Sequence, residues 1–128
     1  MPRSTVTAPG ASAVGPYSHA AEQHGFVYLS GQTPVVPGTA TLVAGGIAEQ
    51  TRQCFANLAA VLAAAGLGFD DVVKCNVFLR DMADFAAMNA VYAEVFTEPY
   101  PARTTIGVAA LPLGATVEIE MIAARPAG

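Results

Sequence analysis

The residues best equipped for chemistry sit in the last quarter of the chain: Arg103, the one arginine in Pro101–Gly107, and two glutamates, Glu118 and Glu120. A guanidinium grips a carboxylate through two parallel hydrogen bonds, a fit that lysine cannot copy. A positioned carboxyl can activate water and move protons. Pro101-Ala-Arg-Thr-Thr-Ile-Gly107 reads as one strand and Ala115–Ala123 as a second, joined by a Leu111-Pro-Leu-Gly114 turn. Strand side chains alternate between faces. Arg103 and Thr105 therefore share a face, with Thr104, Ile106 and Val108 on the other. Val117, Ile119, Met121 and Ala123 form an unbroken apolar face, and Glu118, Glu120 and Ile122 project oppositely. The expectation is a guanidinium and two carboxylates on adjoining strands. As residues alone they also fit a surface ion pair on the wet side of a sheet, typically worth ~0–1 kcal/mol.

The rest of the chain must position these groups. Its 128 residues predict a single domain over 1–128 with one core. Six Lys and Arg against ten Asp and Glu leave a net charge of −4, with a pI near 4.9. An acidic chain without a basic run is a poor partner for phosphate backbones, so no nucleic acid is expected. Only 12% of residues are charged and 53% are hydrophobic, which points to outer surface covered by another subunit. The N-terminal Met-Pro-Arg-Ser-Thr-Val-Thr has no apolar signal-peptide core. No window reaches the ~20 apolar residues of a membrane span. A cytoplasmic protein is expected, without membrane contact. Cys54 and Cys75 lack metal-site spacing and read as reduced, buried small hydrophobes.

Residues 1–14 read as loosely ordered or an edge. Gly15–Glu22 and Phe26–Thr33 read as two strands turning at Gln23-His24-Gly25. Phe26, Tyr28 and Ser30 then share one face, with Val27 and Leu29 on the other. Pro34, Pro37 and Gly38 open a loop to Gly46. Ile47–Ala65 carries helical periodicity through Cys54, Phe55, Leu58, Val61 and Leu62, with Gly66 just past its end. Val72–Arg80 is a strand with Val73, Cys75, Val77 and Leu79 inward. Asp81 can cap a second helix, whose stripe is Phe85, Met88, Tyr92, Val95 and Phe96, with Asn89 on or beside it and Pro99 ending it. The order is hairpin, helix, strand, helix, two strands. It predicts an α+β fold: one mixed sheet with both helices on one face. The other face, carrying Phe26, Tyr28, Phe78, Glu118 and Ile122, then has no cover from its own chain and needs a partner.

Gly15-Pro-Tyr-Ser, Leu29-Ser-Gly-Gln and Pro101-Ala-Arg-Thr-Thr, in that order and spacing, resemble the Rid family, the RidA/YjgF group of reactive-intermediate deaminases. The resemblance runs from about Gly15 to Ala123. It implies a chorismate-mutase-like fold, homotrimers, and active sites in the clefts between subunits. Arg103 matches the arginine that holds the substrate carboxylate, and Glu118 the carboxylate that orients the attacking water; Tyr17 completes the catalytic set. Ser30, Gly31, Asn89 and Thr105 match positions that line the substrate site. Glu120 is given no catalytic role and reads as structural. Thr105 stands where several members carry cysteine, so a thiol-dependent role is excluded here while backbone contacts are not. His19 stands where many relatives have glutamine. With His24 it lacks the acidic or cysteine companions of a metal site, so neither metal nor cofactor is expected.

The implied reaction is hydrolysis of short 2-imino acids or enamines, such as 2-iminobutanoate and 2-iminopropanoate, to 2-oxo acids and ammonia. Such intermediates leave pyridoxal-phosphate-dependent dehydratases and damage other enzymes. Two alternatives stand beside it. One is an RNA- or ligand-binding regulator of the ribonuclease or translation-inhibitor type. The other is a related deaminase of aminoacrylate- or aminomuconate-type products.

Overall fold

The computed structural model describes residues 2–9 and 15–127. The strands are β1 (Ser4–Val6), β2 (Ala20–Gln23), β3 (Phe26–Gln32), β4 (Val72–Leu79), β5 (Ala102–Gly107) and β6 (Val117–Ala124); the helices are α1 (Ile47–Ala64) and α2 (Phe85–Val95). They build one mixed sheet in the order β1-β2-β3-β6-β4-β5. Among the described residues only β4 and β5 pair in parallel, because α2 carries the chain between them as a crossover. Both helices lie on one face, as the periodicities predict.

Local chemistry explains the elements. In the β2–β3 hairpin, His24 and Gly25 both take positive φ (54° and 81°), the twist that two-residue turns require. The first hairpin strand is shorter than expected, since residues 15–19 bend before pairing starts at Ala20. Of residues 1–14, Ser4–Val6 form the edge strand on β2, and residues 10–14 lie outside the described residues. Glu49 reaches back to accept the Gly46 N–H at 3.0 Å, closing the start of α1. The Asp81 carboxylate accepts from the Ala83 N–H at 2.9 Å, capping a short 3₁₀ turn (Met82–Asp84) that feeds α2.

The core lies between helices and sheet. Val27, Leu58, Val61, Leu62, Cys75, Val77, Leu79, Met88, Val117, Ile119, Met121 and Ala123 are buried there. Phe55, Phe69, Tyr92 and Phe96 pack edge-on or tilted, with centroids 4.8–6.0 Å apart, and pin α2 against α1. Two expectations need correction. Val73 is 44% exposed, not inward. The β4–β6 register shifts between Val72 and Lys74, so Val72 turns inward and the alternation slips by one. Nor do the strands of Arg103 and the glutamates adjoin: β4 lies between β5 and β6. The connection over residues 108–116 passes across the end of β4 instead of closing a hairpin, since β4 pairs on both sides.

Candidate active site

The predicted site residues fall into two groups on opposite faces of the sheet. Arg103 and Thr105 pair in register with Cys75 and Val77, both fully buried, so they point to the helix-covered side. There α2 receives Arg103. Nη1 donates to Asn89 Oδ1 at 2.6 Å, while the guanidinium carbon lies 4.6 Å from the Tyr92 ring centroid and 5.6 Å from that of Phe85. Residues 85, 89 and 92 share one helix face by their spacing. The Tyr92 ring is itself held by Phe55 and Phe96. The half-buried cation thus sits against two rings and an amide oxygen, a favourable setting for the charge. Among the described residues no carboxylate comes within ion-pair distance of it; the two ion pairs are Arg52–Glu94 and Arg125–Glu22. Thr105 Oγ1 is buried beside this group without a hydrogen-bond partner. Burial pushes the Cys75 thiol up to about 12, so it keeps its proton and serves as packing.

Tyr17, Ser30, Gly31, Glu118 and Glu120 occupy the uncovered side. Ser30 ties the Gly-Pro-Tyr-Ser segment down: its N–H donates to His19 O at 2.9 Å and its hydroxyl to Ser18 O at 2.6 Å. That holds Tyr17, half exposed, over an open cleft of about 570 Å³ lined by Arg3, Tyr17, Ser18, Tyr28, Ser30 and Glu120. Glu118 lies beside Phe78 on β4 and against Gly31 on β3. Burial, and secondarily the charge of Glu120, raise its carboxyl above the usual range. On this face of the sheet Phe26, Tyr28, Val73 and Ile106 are exposed apolar side chains, 43–50% accessible. The face expected to lack an intrachain cover lacks one among the described residues.

Within one chain, therefore, Arg103, Asn89 and Thr105 come together; on the other side of the sheet Tyr17 and Ser30 line one cleft, and Glu118 rests against Gly31. Phe85 and Tyr92 were legible only as an apolar stripe. Their ring contacts with a cation depend on the β4–α2–β5 crossover, which periodicity does not encode. Glu120, read as structural, lines the Tyr17 cleft. Among the described residues no three His, Cys, Asp or Glu side chains cluster to hold a metal, and no helix is long and apolar enough to cross a membrane.

A sheet with helices on one side, an open face on the other and an arginine without an ion-pair partner on its edge strand define a small α+β protein. A family model described as Endoribonuclease L-PSP matches residues 6–125. A RutC family protein of Pyrococcus horikoshii is 48% identical over 110 residues, covering 86% of this chain and 87% of that protein. A 2-iminobutanoate/2-iminopropanoate deaminase of Mus musculus is 45% identical over 122 residues, covering 95% and 89%. The crystal structure of RidA from an Antarctic Psychrobacter superposes with a TM-score of 0.90 at 46% identity, over 95% of this chain and 99% of that one. The chain belongs to the Rid family.

Proposed function

We propose that the protein hydrolyses short 2-imino acids and their enamine tautomers to 2-oxo acids and ammonia, in sites completed between copies of the chain in a homotrimer. The observation that carries this is Arg103: a half-buried guanidinium whose recorded partners, Asn89, Tyr92 and Phe85, are all neutral. Its charge and remaining N–H groups suit a substrate carboxylate. The naming of several relatives as 2-iminobutanoate/2-iminopropanoate deaminases supports the reaction class. The division of the site residues between two faces supports a shared site, since a ligand on Arg103 is screened by the sheet from Glu118 of its own chain. The exposed apolar side chains on that face of the sheet provide the surface for a second copy.

In this reading Arg103 of one chain anchors the carboxylate and presents the C=N carbon to the open face of its neighbour. Glu118 there takes a proton as water adds to that carbon, giving a tetrahedral carbinolamine. That proton passes to the imine nitrogen; the carbinolamine hydroxyl then gives up its own proton, carried by the same carboxyl to nitrogen, as C=O forms, the C–N bond breaks and ammonia leaves. Imine and one water become 2-oxo acid and ammonia, with no electrons exchanged. A carboxyl with a raised pKa suits both halves of this proton traffic. Tyr17 closes over the ligand. The endoribonuclease description of the family model raises RNA as a second substrate class. The six cations argue against it: they are Arg3, Arg52, Lys74, Arg80, Arg103 and Arg125, and two of them are paired with carboxylates.

A coupled assay tests the reaction. A dehydratase generates 2-iminobutanoate or 2-iminopropanoate, and imine loss is followed with and without the protein. Accelerated loss with stoichiometric 2-oxo acid is expected. Loss at the rate of buffer alone for both imines contradicts the assignment.

A further inference from the structure

We propose that Gly31 is a positioning residue for Glu118: the missing side chain at position 31 is what lets the Glu118 carboxylate rest on β3. The proposal rests on the deaminase reading for its effect on rate, and on geometry alone for the placement. Glu118 lies on β6, flanked by β4 and β3. On the β4 side Phe78 stands opposite it. On the β3 side the register with β6 shifts between Leu29 and Gln32, so Ser30 and Gly31 occupy an irregular stretch of the ladder. Such irregularities re-aim side chains. A Cβ at Gly31 would overlap Glu118 Oε2 outright, and would stand 3.1 Å from its Cδ and 3.4 Å from its Cγ. The three atoms nearest to that Cβ all belong to Glu118.

The backbone at Gly31 needs no left-handed conformation, since its φ is not positive. Glycine is therefore required by the close approach of the carboxylate and not by the turn of the chain. The clash falls chiefly on the far end of a flexible side chain. An added methyl group therefore displaces the carboxylate, and the strand stays in place. This differs from a substrate contact through the Gly31 backbone, which a methyl group leaves intact.

The test combines kinetics with titration on the full-length protein. In Gly31→Ala, kcat in the imine assay should fall at least tenfold with KM within a few-fold, because Arg103 is untouched. In a Glu118→Gln background the same change should have no further effect on kcat. A purely structural defect would multiply through both backgrounds. Carboxyl ¹³C NMR of the unliganded protein supplies a readout without activity: Glu118 should titrate above the usual range in the wild type and move back toward it in Gly31→Ala. If the wild type proves inactive on imines, the deaminase reading fails while the titration still decides the placement. Should Gly31→Ala not fold, Gly31→Ala/Glu118→Ala should, since the carboxylate is gone. An unmoved Glu118 titration, or a double variant that also fails to fold, overturns the proposal.

Discussion

Glu118→Gln should lower kcat by about 10²–10⁴-fold, the usual contribution of a general acid–base group, and leave KM within a few-fold because Arg103, the proposed anchor, remains. Glutamine keeps the shape between Phe78 and Gly31 and removes the proton acceptor. The pH profile should change with it. Burial and Glu120 raise the Glu118 carboxyl, so wild-type kcat/KM should rise with pH through a midpoint above the ordinary Glu value, and this limb should vanish in the variant. A raised carboxyl binds its proton more tightly folded than unfolded. Its stabilising contribution is thus full below the unfolded pKa and lost as pH rises through the folded one. At pH 7 the neutral glutamine should therefore melt no lower than the wild type. Glu120→Gln should keep kcat within a few-fold. Steady-state kinetics of both variants against pH check the assignment; a dead Glu120→Gln beside a healthy Glu118→Gln would transfer the role to the carboxylate that lines the Tyr17 cleft.

Arg103→Lys should lower kcat/KM by roughly 10- to 150-fold while the fold persists. Hydrogen bonds to charged groups are worth ~1.5–3 kcal/mol, and each ~1.4 kcal/mol is a factor of ten. The ammonium keeps the charge but loses the flat fork that meets a carboxylate with two bonds. It also cannot lie as a plane between the Tyr92 ring and Asn89 Oδ1. Most of the loss should appear in KM, because the anchor acts on ground and transition states alike. Unchanged kinetics in the lysine variant would remove the anchor role.

The sequence carries the faces of this molecule better than its neighbours. Alternation in Val117–Ala123 and in Phe26–Ser30 gave the correct inward and outward sets, because a one-residue slip would expose an entire buried row. The end of α1 was legible at Gly66, while Asp81, read as the cap of the second helix, caps the 3₁₀ turn ahead of it and α2 itself begins at Phe85. Strand order was not. That β4 separates β5 from β6 depends on long-range pairing, and a nine-residue connection serves a hairpin or a crossing equally well. The bulge at Val73 is invisible to a pattern that reads well in either phase. Arg103 itself was evident from residue type and its Pro-Ala-Arg-Thr-Thr setting. The side of the sheet it faces emerged only with the α2 crossover. So did the separation of Arg103 from Glu118 by the sheet, and the close approach at Gly31 appears only when side chains from two strands are placed together.

That separation gives the central claim its most direct test. Arg103→Lys and Glu118→Gln chains, each impaired alone, are unfolded together, refolded as a mixture and assayed for imine hydrolysis. Light scattering should first give three times the 13.1 kDa of one chain. In a cyclic trimer with head-to-tail interfaces, every mixed assembly contains one junction where an intact Arg103 meets an intact Glu118, roughly one site in three. The mixture should therefore recover a substantial fraction of wild-type activity, with wild-type KM, that neither variant shows when refolded by itself. Activity no greater than the average of the two separate variants, in a preparation shown to contain mixed trimers, would mean that Arg103 and Glu118 do not act on one ligand across the interface.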